Sequence, residues 1–322
     1  MRLRLVRDNT SIDFFSRVKV WLGISGTLMI LAFVSFLIQG LNFGIDFQGG
    51  TSLRTQSAQT VDVGAYRAAL EPLELGDVSI TEVFDPNFAD DQNVAMVRIQ
   101  AQEGEESVTN DTISAVQDAL RGIAPDITFP SVESVGPKVS GELIKTAGIA
   151  VVLAVIAILF YIWLRFEWQF AVGAVLALTH DVLLTVGIFS ELQIKFDLAI
   201  IAALLTIVGY SINDTVIVFD RVRENLRKYK QKPLKDVLNI SINETLSRTL
   251  MTSVTTMLAL LALFVLGGDV IRGFVFAMMW GVFIGTYSSI FVATAFLLVL
   301  GVKRDWSKKA NTVGNQYSNI DA

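Results

Sequence analysis

Six long apolar runs constrain this chain more than any other feature. They lie at about 20–39, 143–164, 168–190, 196–219, 250–267 and 273–300. As helices rising about 1.5 Å per residue, each is long enough to cross roughly 30 Å of hydrocarbon. Lipid offers no hydrogen-bonding partner to a bare peptide group, so the runs are expected to be helices that satisfy their own backbones. An ordinary soluble domain is excluded on the same ground, and the composition agrees, with 52% of the 322 residues hydrophobic. The first run follows a basic stretch, as a signal peptide does. It is too long for a signal core and lacks a small-residue cleavage site, so it reads as an uncleaved anchor. There is no cysteine, which removes disulfide and thiolate chemistry.

Lysine and arginine in the connections set the orientation. The first 19 residues carry Arg2, Arg4, Arg7, Arg17 and Lys19, and the 220–249 connection carries a dense basic cluster from Arg221 to Arg248. The 301–322 tail adds Lys303, Arg304, Lys308 and Lys309, whereas the short connections at 190–195 and 268–272 hold only Lys195 and Arg272. Both ends (residues 1–19 and 301–322) are therefore expected in the cytoplasm, and residues 40–140 outside it. The net charge of −5 hides this asymmetry, because the outer segment is strongly acidic from Asp46 to Glu133.

Residues 40–140 are too patterned for a loop. Thr51–Gln56, Val78–Phe84, Val94–Ala101 and Ile127–Val135 read as strands, and Val61–Leu73 and Ser107–Leu120 as helices. Asp85-Pro86-Asn87 begins a turn. The order β-α-β-β-α-β predicts a ferredoxin-like α+β domain. The whole is thus expected to be an α-helical integral membrane protein with a folded outer domain. Between spans four and five, residues 233–249 predict an amphipathic helix lying on the membrane surface, with an ordinary solvated connector as the alternative. In span six, Gly273, Ala277, Gly281, Gly285, Ser289 and Ala293 recur every four positions, a small-residue ridge for close helix packing.

Ionisable residues inside spans are costly and point to function. Asp214 stands in Tyr210-Ser211-Ile212-Asn213-Asp214-Thr215, with Thr206, Tyr210 and Asn213 expected on roughly the same helix face. Arg248, where span five begins, is its candidate partner, and Thr252 adds a hydroxyl near that face. Desolvation favours a neutral acid there and a nearby guanidinium favours the carboxylate. That opposition suits a proton switch, and a static ion pair suits the same residues. His180 and Asp181, near the middle of span three, form a possible secondary polar network, either a relay or a satisfied interior pair. Asp197 and Asp220 sit at span ends and read as interfacial. In Phe43–Thr51, which leads into the outer domain, Asp46, Gly49 and Gly50 stand out, with the glycines expected to turn the chain from span one into the first strand. No phosphate loop, Gly-x-Ser-x-Gly, His-Glu-x-x-His or Cys-x-x-Cys is present. No cofactor, metal, nucleic-acid partner or enzymatic activity is expected.

Five segments resemble the SecD/SecF family, on its SecF side. They are Phe43–Thr51, Ser134–Val139, Arg165-Phe166-Glu167, Val208–Val216 with Asp220–Asn225, and Asn243–Thr249, in that order along the chain. The resemblance implies a member of the resistance-nodulation-division (RND) superfamily in the bacterial inner membrane. It implies pairing with SecD, binding to the SecYEG channel, and use of the proton-motive force to draw unfolded secretory polypeptides outward. It also implies proton passage at Asp214 and Arg248, with a second carboxylate from SecD. Three rivals remain at this point: an exporter half for lipids or small molecules, an intramembrane aspartyl protease built on Asp181 and Asp214, and a passive scaffold. The exporter requires a large apolar pocket in the outer domain.

Overall fold

The computed structural model describes residues 10–76, 78–83, 92–100 and 108–302. The expected turn at 85–87, the last residues of two expected strands (Phe84 and Ala101), Ser107, and the basic residues before Thr10 and after Val302 lie outside the described residues.

Among the described residues, six helices are long and apolar enough to cross a membrane. They are α1 (Val18–Gln39), α5 (Pro137–Arg165), α6 (Trp168–Glu191), α7 (Leu198–Lys228), α8 (Leu234–Leu266), and a last span made of α9 (Asp269–Ser288), a π-helical turn (Ser289–Ala293) and α10 (Thr294–Leu300). Between α1 and α5 lie the short α2 (Ile45–Gln48), β1 (Gly50–Ser57), α3 (Val63–Leu70), β2 (Val78–Val83), β3 (Asn93–Ile99), α4 (Asn110–Arg121) and β4 (Thr128–Val135). The sheet order is β2-β3-β1-β4 with every neighbouring pair antiparallel, the ferredoxin-like arrangement that the element order predicts.

Local chemistry sets the domain's helices. Asp62 caps α3, accepting from the N–H groups of Gly64 (2.8 Å) and Ala65 (3.1 Å), and Thr109 caps α4 through Thr112 N (3.2 Å). Each side-chain cap satisfies donors that a helix start leaves open. Strand alternation sends Leu53, Ala95, Val97 and Ile99 into a core with Tyr66 and Leu70 of α3 and Val116 and Leu120 of α4. Met96 and Arg98 of β3 point the other way, because successive side chains alternate across a strand.

The spans pack through small residues. A Cβ added at Gly281 would lie 2.3 Å from Ile207 Cγ1, and one at Gly285 would lie 3.1 Å from Ser211 Cβ. The ridge of span six therefore serves contact with α7 inside this chain. Gly187 of α6 plays the same part against α1, since a Cβ there would sit 2.2 Å from Ala32 Cβ. By contrast, the membrane-length stretch of α5 has almost no buried residue, as expected of a helix facing lipid or another chain.

One expectation is corrected. Residues 234–249 do not form a separate surface helix. They are the first turns of α8, a single 33-residue helix. The predicted apolar side is real, but Val237, Leu238, Ile242 and Leu246 pack with Val222 and Leu226 of α7. An apolar stripe shows that a helix face is covered, not what covers it. Asn225 Nδ2 donates to Ser241 Oγ (3.0 Å) and Glu244 Oε2 (2.6 Å), and Arg221 Nε to the same Glu244 oxygen (2.7 Å). The two helices thus project together as a long hairpin. Thr10–Phe15 lies along its base. Asn243 exchanges hydrogen bonds with the backbone of Ile12, and Asn239 bridges Asp13 and Phe14 N.

Candidate functional site: two buried carboxylates in the helix bundle

Asp181 and Asp214 are both buried in the bundle, with 0% and 2% of their surface exposed. Their surroundings differ. Asp181 Oδ1 lies 2.9 Å from His180 Nδ1, and its Oδ2 accepts from Ser211 Oγ (2.6 Å) and Ser288 Oγ (2.8 Å). The next polar layer is also closed, with Thr215 Oγ1 and Ser289 Oγ 2.8 Å apart. Ser289, four positions after Gly285 on the same ridge, faces α7 and begins the π-helical turn, while the preceding Ser288 turns toward Asp181 of α6. Single π turns inside helices often mark functional positions. His180 stacks on Tyr287 at 6.0 Å, and its Nε2 is buried without a partner.

Asp214 has no such shell. Its Oδ2 is buried and makes no hydrogen bond. Arg248 acts on it through space but forms no ion pair with it, so the expected direct contact is not made. The reason is helical phase. On α8, Thr245, Leu246 and Thr249 turn inward, which leaves Arg248 on the exposed side. Thr249 Oγ1, like Asp214 Oδ2, is buried and unpartnered. A second phase correction applies to α7. Thr206 and Asn213 are exposed, Tyr210 is half-buried, and Asp214 faces inward with Ser211 and Thr215. Neighbouring residues on a helix are about 100° apart, so Asn213 and Asp214 straddle the boundary between two faces.

The other polar residues form rungs between helices. Tyr210 OH donates to Thr256 Oγ1 at 3.4 Å, and Ser253 Oγ lies 2.6 Å from Thr286 Oγ1. Thr252 Oγ1 instead donates back to Thr249 O at 2.9 Å along its own helix. Ser211, Ser288 and Ser289 were the residues that sequence reasoning undervalued. The available signal is Ser289 on the small-residue ridge, with a second serine, Ser288, directly before it.

The glycine-rich segment joins the domain to the bundle. Gly49 and Gly50 have φ of 73° and 121°, backbone that side-chain-bearing residues avoid, and they turn α2 into β1. Asp46 Oδ2 accepts from Leu198 N at 3.0 Å and so caps α7. Gly44 N donates to Phe196 O (2.8 Å) and Phe196 N to Asn42 O (2.7 Å). Phe43, Phe47 and Phe189 all pack on the Phe196 ring at about 6 Å.

A polytopic bundle with buried acids on its central helices and a ferredoxin-like domain inserted after the first span defines a transporter-like membrane protein. Comparison with known families makes the assignment specific. The family described as protein export membrane protein SecD/SecF, C-terminal, matches residues 115–303, and the SecD/SecF GG motif matches residues 34–61. The chain belongs to the SecD/SecF family. It is 62% identical over 321 residues to the protein translocase subunit SecF of Cereibacter sphaeroides, covering 100% of this chain and 99% of that one. The corresponding subunit of Rhodobacter capsulatus is 58% identical, over 96% of this chain and 94% of that one. Among solved structures, SecDF from Thermus thermophilus, described as a translocon-associated membrane protein, superposes with a TM-score of 0.82 at 35% identity. That match covers 93% of this chain but only 40% of the SecDF chain. SecDF in a super-membrane-facing form matches with a TM-score of 0.68 at 36% identity.

Proposed function

We propose that this chain is a SecF-type accessory subunit of the Sec protein translocase, and that it joins a SecD-type partner to couple proton movement to the late steps of export. The family and its relatives support export, and six apolar helices support a multi-pass inner-membrane protein. In this reading both ends lie in the cytoplasm and the sheet domain lies in the periplasm, as the lysine and arginine distribution favours. Its further partners are the SecYEG channel, the unfolded secretory polypeptide, protons and the surrounding lipid.

One observation carries the coupling: Asp214 is buried with an oxygen that no group among the described residues satisfies, and Arg248 stands on the exposed side of the neighbouring α8. A guanidinium exposed at membrane depth is costly unless another surface covers it. A sister subunit carrying its own carboxylate would cover Arg248 and Asn213 and complete the site. Protonating Asp214 then removes one charge from that interface, the spans repack, and the outer domains shift to bias a passing polypeptide against sliding back. One charge crossing 100 mV releases about 2.3 kcal/mol, and each unit of pH gradient adds about 1.4 kcal/mol. A few protons therefore supply several kcal/mol toward a domain movement.

The rival readings gain no support. The cavity beside the sheet is lined mainly by polar groups, unlike an exporter's apolar pocket. Asp181 has its oxygens filled by His180 and two serines, unlike one half of a protease dyad sharing a proton.

The test is Asp214→Asn in vesicles holding the SecD–SecF pair with the translocase. Export driven by a proton gradient should fall to the level seen without a gradient, and proton flux should fall with it. Export equal to wild type under the gradient overturns the proposal. Undiminished export with no proton flux in the wild type would favour the passive scaffold.

A further inference from the structure

A polar cavity of about 410 Å³ opens where the chain leaves span one and enters the sheet domain. It is lined by Asn42, Gln48 and Gly49 from the segment after span one and by Arg67, Ser79 and Arg98 of the sheet domain. Residues 40–140 contain 16 acidic and 5 basic side chains. Two of those five line this one cavity, and among the described residues no carboxylate does. Burial lowers the Arg98 pKa, and the charges of Asp197 and Asp46 oppose that shift from a distance. Neither acid bonds Arg98. Asp46 caps Leu198 N, and Asp197 accepts from Ile200 N at 3.3 Å and faces Lys195 Nζ at 3.8 Å. Arg98 Nε is buried with no hydrogen-bond partner at all. A buried guanidinium edge without an acceptor is an incomplete site, because charged donors in low dielectric are costly to leave unpaired.

Position narrows the acceptor. Asn42 is three residues beyond Gln39, the end of α1, which is at most about 11 Å of extended chain. The cavity mouth therefore opens within that distance of the end of span one, where a bilayer presents its headgroups. Its size falls within the usual range of small-ligand sites, roughly 300–1,000 Å³.

We propose that this cavity binds the headgroup phosphate of an anionic glycerophospholipid. Arg98 and Arg67 meet the phosphate oxygens, in the geometry that guanidinium groups favour. Gln48, Gln100 and Asn42 hydrogen-bond the glycerol hydroxyls, and the acyl chains stay in the bilayer. The site fastens the sheet domain to the membrane surface at its point of attachment.

The full chain in nanodiscs tests this, with phosphatidylglycerol in phosphatidylcholine compared against phosphatidylcholine alone. Phenylglyoxal labelling of the wild type, mapped by mass spectrometry, should show Arg67 and Arg98 protected in the phosphatidylglycerol discs only, with Arg121 labelled equally in both. In native mass spectrometry, retention of phosphatidylglycerol should drop about tenfold in Arg98→Gln, the effect of losing one charge-assisted hydrogen bond. It should be unchanged in Arg121→Gln. Equal labelling in the two kinds of disc, or unchanged retention in the Arg67→Gln/Arg98→Gln double variant, overturns the proposal. Protection by soluble glycerol phosphate as strong as by the lipid at the same concentration overturns the membrane source. The labelling arm needs no variant, so a misfolded mutant leaves it intact.

Discussion

Asp181 and Asp214 are the same side chain, buried to nearly the same degree in the same bundle, yet one is saturated and the other is not. Asp181 receives His180 and two serines from three separate helical segments. Asp214 keeps a buried oxygen without a donor. Burial alone therefore does not identify a working carboxylate. The hydrogen-bond count separates the two, because Asp181 cannot move without stranding several partners, whereas the buried oxygen of Asp214 has no bonded partner to lose.

That contrast can be broken experimentally. The largest expected effect is on Asp181→Ala, which strands His180, Ser211 and Ser288 inside the bundle. Losing the acceptor of a buried network is expected to cost about 3–5 kcal/mol, visible as a sharp fall in membrane abundance and thermal stability in detergent. Asp214→Asn breaks no hydrogen bond at the buried Oδ2 and should lower stability far less than Asp181→Ala, by about 1 kcal/mol, while abolishing gradient-driven export. If both variants lose stability equally, the distinction fails. Ser288→Ala removes a single donor to Asp181 and should cost about 1–2 kcal/mol, measured by thermal unfolding. Ser253→Ala, outside both clusters, should cost less.

The smallest effect concerns the sheet domain. Asp126 accepts from Ala58 N (2.7 Å) and from Ser57 Oγ (3.0 Å), and these bonds, the backbone one first, lower its pKa from the ordinary 3.8. The stability it contributes is present above that value and is lost as pH falls through its lower folded pKa. Asp126→Asn should flatten the acid limb of domain unfolding followed by circular dichroism. An unaltered limb would show that other carboxylates set it.

Much of the architecture was readable beforehand. Unbroken apolar length identifies the spans, since lipid leaves few alternatives. Alternation at period two and helical spacing at Val108, Ile113, Val116 and Leu120 gave the domain's strands and helices in order. What could not be read was azimuth. The sequence places Arg248 near Asp214 in height, but which way each points depends on helix rotation fixed by neighbours such as Ile207 against Gly281. The same gap hid the packing of 234–249 onto α7, and nothing in the apolar pattern of span six announces the π-helical turn that begins at Ser289. Arg98 was invisible for another reason. A lone arginine in a strand pattern looks solvated until the fold closes a wall over it.

The cap that Asp46 places on Leu198 has a mechanical consequence. Asp214 lies 16 residues further along the same helix, about 24 Å away at 1.5 Å per residue. The helix is thus a stiff rod with its charge at mid-length and its tip gripped by the collar of the sheet domain. Rocking the rod at its middle swings the tip, and the collar must travel with it or lose its grip.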